Sequence, residues 1–257
     1  MRIIVITQDE PFYLPLFFAK IKSLLKKHKA RIIILPATRG FKGPLKQTKK
    51  YYHLYGLPLF LRQSLKFSLY KTLGLINSFS RFYSVASLAR ANKIPFASIK
   101  DLRKKQSLEK IKKASPDLII SIAPPQIFPP ELLQIPALGC INIHQGLLPK
   151  YRGINPSFWA LLNDEKETGV SIHFMDQKID NGPILLQEKV KIETAETLHS
   201  LYLKNIEIGA AMLAKAVALI EKGDYQTIPN PKSDATYFSF PDKKSAKRFR
   251  GRGKKFF

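Results

Sequence analysis

The chain has 257 residues, enough for one large core or for one domain with a small appendage. A single cysteine, Cys140, rules out a disulfide framework and points to a reducing, cytoplasmic setting. The net charge of +24 is unevenly placed: residues 1–115 carry 25 Lys and Arg against 4 Asp and Glu, residues 116–231 carry 9 against 13, and residues 232–257 carry 9 against 2. Basic flanks around a near-neutral centre favour anionic partners: phosphorylated small molecules, nucleotide-linked sugars, RNA or an anionic membrane surface. No secretory signal is expected, because the apolar run Ile3–Ile6 is short and Asp9-Glu10 follows it. The longest stretch without a charged residue, Leu132–Pro149, contains Pro136, Asn142 and His144, so it does not read as a membrane span.

In chain order, Arg2–Thr7 and Arg31–Leu35 are short and β-branched, as buried parallel strands are. Between them Leu14–Lys27 places Phe17, Ile21, Leu24 and Leu25 on one face of an amphipathic helix. This opening predicts an α/β fold with a doubly wound, mostly parallel sheet. The turn Thr7–Pro11 lacks the Gly-rich pattern of a dinucleotide site. Gly40–Lys50 reads as a basic, solvated loop. Leu57–Arg90 is apolar and aromatic with Arg62, Lys66 and Lys71 interspersed, which predicts two helices broken near Gly74 or Asn77-Ser78. The bland reading is an enlarged crossover packed on the sheet, and the alternative is a basic segment lying on a membrane surface.

Ile94–Ile99 is the next strand, and Ser107–Ala114 a short basic helix capped by Ser107. Leu118–Ala123 is a buried strand with Pro124-Pro125-Gln126-Ile127 at its carboxyl end, where open α/β sheets bind ligands. A short helix over Pro129–Leu133 follows. Thr194–Lys222 is a long helix with Thr194 as N-cap and Gly223 beyond its end. The tail Lys243–Phe257, basic with aromatics, reads as a solubilising extension, with RNA contact as the alternative.

The chemistry concentrates between Gly139 and Gln187. On a strand Cys140–His144, Asn142 and His144 leave the same face while Ile141 and Ile143 leave the other. A buried sheet tolerates such polar groups only with partners or a ligand. A second strand, Val170–Met175, leads into the loop Asp176–Gly182, which can return Asp180 towards the first. Amide, imidazole and carboxylate together suit acyl transfer: Asn142 supplies a neutral N–H to a developing oxyanion, His144 moves a proton, and Asp180 orients the imidazole. The spacing of His144, His173 and Asp180 fits no common zinc pattern, so no metal is expected.

These residues stand in two linked blocks: Asn142-Ile-His144-Gln-Gly-Leu147-Leu148-Pro149-Lys-Tyr151-Arg152-Gly153, and Thr168-Gly169-Val170-Ser-Ile-His173-Phe-Met175-Asp176-Gln-Lys-Ile-Asp180-Asn-Gly182. The pair resembles the signature of the folate-dependent formyltransferases, which include methionyl-tRNA, glycinamide ribonucleotide and sugar N-formyltransferases. The resemblance implies a Rossmann-like formyltransferase fold, 10-formyltetrahydrofolate as formyl donor, and Asn142, His144 and Asp180 as catalytic residues with His173 in support. It places Gln126, Ile127, Met175, Asp176 and Ile179 against the donor, and Gln8, Asp9, Glu10 and Gln145 near the acceptor. Gly146 stands where many relatives carry Ser. Residues 1–193 would form the catalytic domain, with 57–92 as a helical insertion, and 194–257 a C-terminal helix with its basic tail. The acceptor expected is an anionic small-molecule amine such as an amino-sugar nucleotide. RNA or an anionic membrane would be contacts of the basic surface. The chain leaves no room for the C-terminal β-barrel of the methionyl-tRNA enzymes, which disfavours initiator tRNA. A methionyl-tRNA formyltransferase-like protein, a formyltetrahydrofolate hydrolase, and a non-enzymatic module binding RNA or a membrane on the same scaffold are the alternatives.

Overall fold

A computed structural model describes residues 1–36, 43–75 and 82–257. Strands β1 (Ile3–Gln8), β2 (Arg31–Leu35), β3 (Phe96–Ser98), β4 (Leu118–Ile122), β5 (Cys140–His144), β7 (Glu167–Phe174) and β8 (Ile184–Lys191) form one sheet. Its order is β3-β2-β1-β4-β5-β7-β8. The first five strands run parallel, and β7 and β8 add as an antiparallel hairpin beside β5. A small second sheet pairs β6 (Arg152–Gly153) with β9 (Tyr237–Phe238). The helices are α1 (Leu14–Lys27), α2 (Pro44–Tyr55), α3 (Leu57–Leu73), α4 (Val85–Ala91), α5 (Lys105–Lys113), α6 (Pro130–Leu133), α7 (Pro156–Leu162), α8 (Leu198–Lys222) and α9 (Lys243–Gly251).

The alternation of the strands sorts the core into two layers. Ile3, Val5, Ile32, Ile34, Leu118, Ile120 and Ile141 meet α1, α4 and α8 on one face. Ile4, Ile6, Ile33, Ile119 and Cys140 meet α5 and α6 on the other. Each such aliphatic side chain, once fully buried, contributes about 1.5–3 kcal/mol. On the second face the pattern changes along the strands. Ile119 and Cys140 are register partners, but one pleat further Ile6, Ser121, Asn142 and His173 lie in one row across β1, β4, β5 and β7. The sheet face thus turns from apolar to polar at the carboxyl ends of its parallel strands.

Several expectations need correction. The segment read as a basic loop over Gly40–Lys50 is helix α2 from Pro44 onward; residues 37–42 lie outside those described. Its Tyr51, Leu54 and Tyr55 pack into a third core cluster, which stabilises a helix of otherwise polar sequence. The alternative break at Asn77-Ser78 also lies outside the described residues, and α3 ends at Leu73. Ser107 sits inside α5, which starts at Lys105, so it is not the cap. The cap of α8 is Thr197, not Thr194: its hydroxyl accepts from the Ser200 amide, and Ser200 returns the bond to the Thr197 amide. Nor is the tail a solvated extension. Ala246, Phe249 and Phe256 are buried against Phe158, Leu161 and Leu201, and Phe249 stacks on Phe158 at 4.6 Å. Since Leu213, Ala216 and Val217 of α8 also pack on the sheet, residues 194–257 share the cores of the preceding residues rather than forming a separate one.

Candidate active site

Each polar group in the row has a partner. The Ser121 hydroxyl donates to Asn142 Oδ1 at 2.7 Å, which turns Asn142 Nδ2 the other way. That nitrogen lies 3.2 Å from His173 Nε2 and 3.4 Å from Asp180 Oδ1. His173 Nδ1 lies 2.8 Å from the Phe174 carbonyl, to which only a protonated nitrogen can donate. His173 therefore carries its proton on Nδ1 and accepts from Asn142 at Nε2. His144, one pleat further along β5, is governed by the same logic. Its Nε2 lies 2.8 Å from the Tyr151 carbonyl and must donate, leaving Nδ1 to face Asp180 Oδ2 at 3.5 Å.

Asp180 reaches this place because its loop is tied at both ends. Met175 N donates to Cys140 O at 2.7 Å, and the Asp176 carboxylate accepts from Lys178 N and Asn181 Nδ2. Gly182 sits so close to the strand that an added Cβ would come 2.0 Å from Phe174 O, so only glycine permits this return. Asn230, distant in sequence, donates to the carbonyls of Asp180 and Gly182. The buried Arg152 guanidinium clamps Asn181 and Asn230 together. The Gly153 amide donates to Asp180 Oδ2 at 2.8 Å.

The electrostatics follow from this geometry. Burial opposes a charge on Asp180, but the His144 and His173 rings beside it and the Gly153 amide outweigh it and hold the carboxyl well below the usual range. Burial pushes the His144 imidazole down, with Asp180 pulling the other way. The resting pair is an ionised carboxylate beside a neutral imidazole whose free lone pair is on Nδ1. Burial pushes the Cys140 thiol up to about 12, so it is inert packing.

The structure thus brings Asn142, His144, His173 and Asp180 together. The other predicted residues divide. Ile127 and Ile179 expose apolar side chains, while Met175 packs on the α5/α6 core. Gln126 spends its amide on Leu102 N and Lys100 O, joining two loops. Gln8 ends β1 and Gln145 follows His144, both half-buried. The carboxylates of both Asp9 and Glu10, expected near the acceptor, are engaged at helix ends. Asp9 accepts from Ser84 Oγ and Val85 N at the start of α4. Glu10 accepts from the amides of Phe12, Tyr13 and Leu14 at the start of α1. Sequence reasoning missed Ser121, Arg152 and Asn230. The hydroxyl of Ser121 in the otherwise apolar run Leu118–Ile122 was a usable signal; Asn230 carries none.

With this geometry in hand, the comparisons with known proteins are decisive about kinship. The formyl transferase family matches residues 73–217, more than half of the chain. The chain belongs to the formyl transferase family. It is similar to the methionyl-tRNA formyltransferase of Alkaliphilus oremlandii, 39% identical over 153 residues, which is 60% of this chain and 49% of that protein. The chain spans about half the length of the curated relatives it matches. Among solved structures, a sugar N-formyltransferase from a Shewanella species has the same fold, with a TM-score of 0.59 and 21% identity, covering 93% of this chain and 76% of that one. The formyltransferase PseJ from Anoxybacillus kamchatkensis is 27% identical with a TM-score of 0.50, covering 61% of this chain and 80% of that one. It was crystallised with a UDP-linked formamido sugar and tetrahydrofolate.

Proposed function

We propose that this formyl transferase family member moves a formyl group from 10-formyltetrahydrofolate to the primary amine of an anionic acceptor, an amino-sugar nucleotide. The observation that carries the reading is the convergence of Asn142 Nδ2, His144 Nδ1 and Asp180 within 3.5 Å at the carboxyl edge of the sheet. The donor is a substrate that supplies an activated formyl carbonyl. The exposed apolar side chains of Ile127 and Ile179 suit a flat ring system, and Gln126 and Asp176 hold the two loops that carry them.

In this mechanism His144 Nδ1 takes the proton that the acceptor amine sheds as its nitrogen bonds to the formyl carbon. Asn142 Nδ2 donates to the carbonyl oxygen as it gains charge. The imidazolium now formed lies between two acceptors, the Tyr151 carbonyl and the Asp180 carboxylate, which favour it. His144 then passes the proton to the folate nitrogen as the bond from that nitrogen to carbon breaks. One proton leaves the amine and one reaches the folate, so the transfer balances. The carboxylate makes the buried imidazole basic enough to accept the proton, and the fixed amide needs no reorganisation when charge appears.

The nucleotide-linked acceptor is supported by the basic surroundings and by the UDP-sugar bound to PseJ. The identity to methionyl-tRNA formyltransferases favours a second reading, aminoacyl-tRNA as acceptor. One experiment separates them: the full chain is incubated with 10-formyltetrahydrofolate and either amino-sugar nucleotides or methionyl-tRNA, and products are weighed by mass spectrometry. A formylated sugar nucleotide is the expected product. Formylated methionyl-tRNA alone selects the second reading, and formate released without any amine selects a hydrolase.

A further inference from the structure

Helix α3 has an inner face that packs and an outer face that does not. Inward, Gln63 is buried, Leu59 joins the third core cluster, and Tyr70 and Phe67 meet Phe12. Outward, Leu57, Leu61, Leu65 and Leu69 recur every four residues and are 52–74% exposed. Four leucines at this spacing form one continuous stripe along the helix. Leu45 on α2 and Leu75 just past α3 are more exposed still, at 85% and 83%. An apolar stripe of this length on a surface marks something that covers it.

The charge around the stripe indicates the covering surface. From Pro11 to Lys100 the chain has no Asp or Glu and 18 Lys and Arg. Lys46, Lys49 and Arg62, on α2 and α3 themselves, are exposed. Helix α9 lies against α2, with Arg250 donating to the Leu54 carbonyl, and carries exposed Lys243, Lys244 and Lys247. A second copy of the chain would oppose this field with its own positive charge, which is destabilising. An anionic lipid surface offers both an apolar layer for the leucines and negative headgroups for the cations. Among the described residues no helix is long and apolar enough to cross a membrane, so the helix would lie in the interface.

We propose that the outer face of α3 docks the protein on an anionic membrane surface, with the leucine stripe in the headgroup–acyl boundary and the cations of α2 and α3 on the phosphates. The docking stands apart from the formyl-transfer chemistry, since none of the stripe residues belongs to the candidate site.

The test uses the full chain and sedimentation with vesicles of phosphatidylcholine, alone or with about one third phosphatidylglycerol. Binding is expected to the anionic vesicles and to fall at least about tenfold on phosphatidylcholine alone, in high salt, and in the double variant Leu61→Ser/Leu65→Ser. Circular dichroism checks that the double variant is folded. As an independent readout, a Leu65→Trp variant should shift its fluorescence to the blue on anionic vesicles only. Unchanged binding by the double variant would reduce the effect to charge adsorption and overturn the proposal. So would the absence of vesicle binding, or self-association in solution that the double variant abolishes.

Discussion

Two stretches of this chain are basic and free of acidic residues, and their apolar side chains meet opposite fates. Residues 44–75 carry 6 Lys and Arg and many leucines and tyrosines, residues 243–257 carry 8 Lys and Arg and three phenylalanines, and neither contains Asp or Glu. In the C-terminal stretch two of the three aromatic side chains go inward: Phe249 and Phe256 are buried beside Phe158, while Phe257 stays exposed. In α3 four leucines go outward. The difference lies in what each helix meets. In α9 the apolar residues Ala246 and Phe249 are three apart and form one narrow stripe, which α7 and α2 cover. Helix α3 is apolar on both sides, so packing one side on the protein leaves the other bare. Composition measures how much apolar surface a segment has, whereas periodicity decides how much of it one contact can hide.

The sharpest way to break the comparison is to remove an inward ring. Phe249→Ala empties a fully buried site stacked on Phe158 and is expected to cost about 3–5 kcal/mol in urea unfolding. A cost under about 1 kcal/mol would mean that the tail is detachable after all.

Next in size come the site variants. His144→Ala and Asp180→Asn should each lower kcat by about 10²–10³-fold in the formylation assay while the protein stays folded. Ser121→Ala should be milder. Losing one hydrogen bond of about 1 kcal/mol frees Asn142 to rotate its amide, so kcat is expected to fall about tenfold with KM little changed. Full activity in Ser121→Ala would show that the strand geometry alone aims Asn142.

Acid stability probes the same residues. Both Asp180 and His144 titrate below their ordinary values of 3.8 and 6.5, so in each case the unfolded chain binds protons that the native chain does not. Stability is therefore complete above pH 6.5 and falls as the pH drops, first through His144 and then, below 3.8, through Asp180. His28, which burial also depresses, adds to the first step. Urea midpoints followed downward from pH 8 (an upper bound chosen about 1.5 units above the histidine value) should show both steps. In His144→Gln the first should shrink to the share of His28. A first step of unchanged size in that variant would remove His144 from the account.

The site shows how far sequence can be read. Asn142 and His144 are legible because a strand has a period of two and polar residues on its buried face demand partners. The return of Asp180 is legible because β7 must end where its loop begins. The helix-end role of Asp9 and Glu10 was not legible, because an acidic pair after a strand looks alike whether it meets a ligand or caps a helix. Only the positions of α1 and α4 distinguish these. Thr194 and Thr197 compete as caps for one helix, and Ser200, three residues after Thr197, decides between them. Asn230 and Arg152 hold the Asp180 loop across 78 residues of chain, a contact that no local pattern announces. The hairpin partner β8 was missed because its outer half, Gln187 to Lys189, is polar and exposed on the edge of the sheet.

The smallest expected effect is the most telling for α3. Leu65→Ala removes a large apolar side chain, as Phe249→Ala does, yet Leu65 is 74% exposed. An exposed side chain is as solvated in the folded state as in the unfolded one, so its removal forfeits little transfer free energy and opens no cavity. The change in unfolding free energy should stay within about 0.5 kcal/mol, and alanine's better helix propensity could even offset part of it. Leucine is therefore not placed at position 65 by the needs of the isolated fold, and its removal should be felt only where the outer face meets a surface. A loss above about 1 kcal/mol in dilute solution, with no vesicles present, would show that the stripe packs within this chain and would bring α3 and α9 to the same fate.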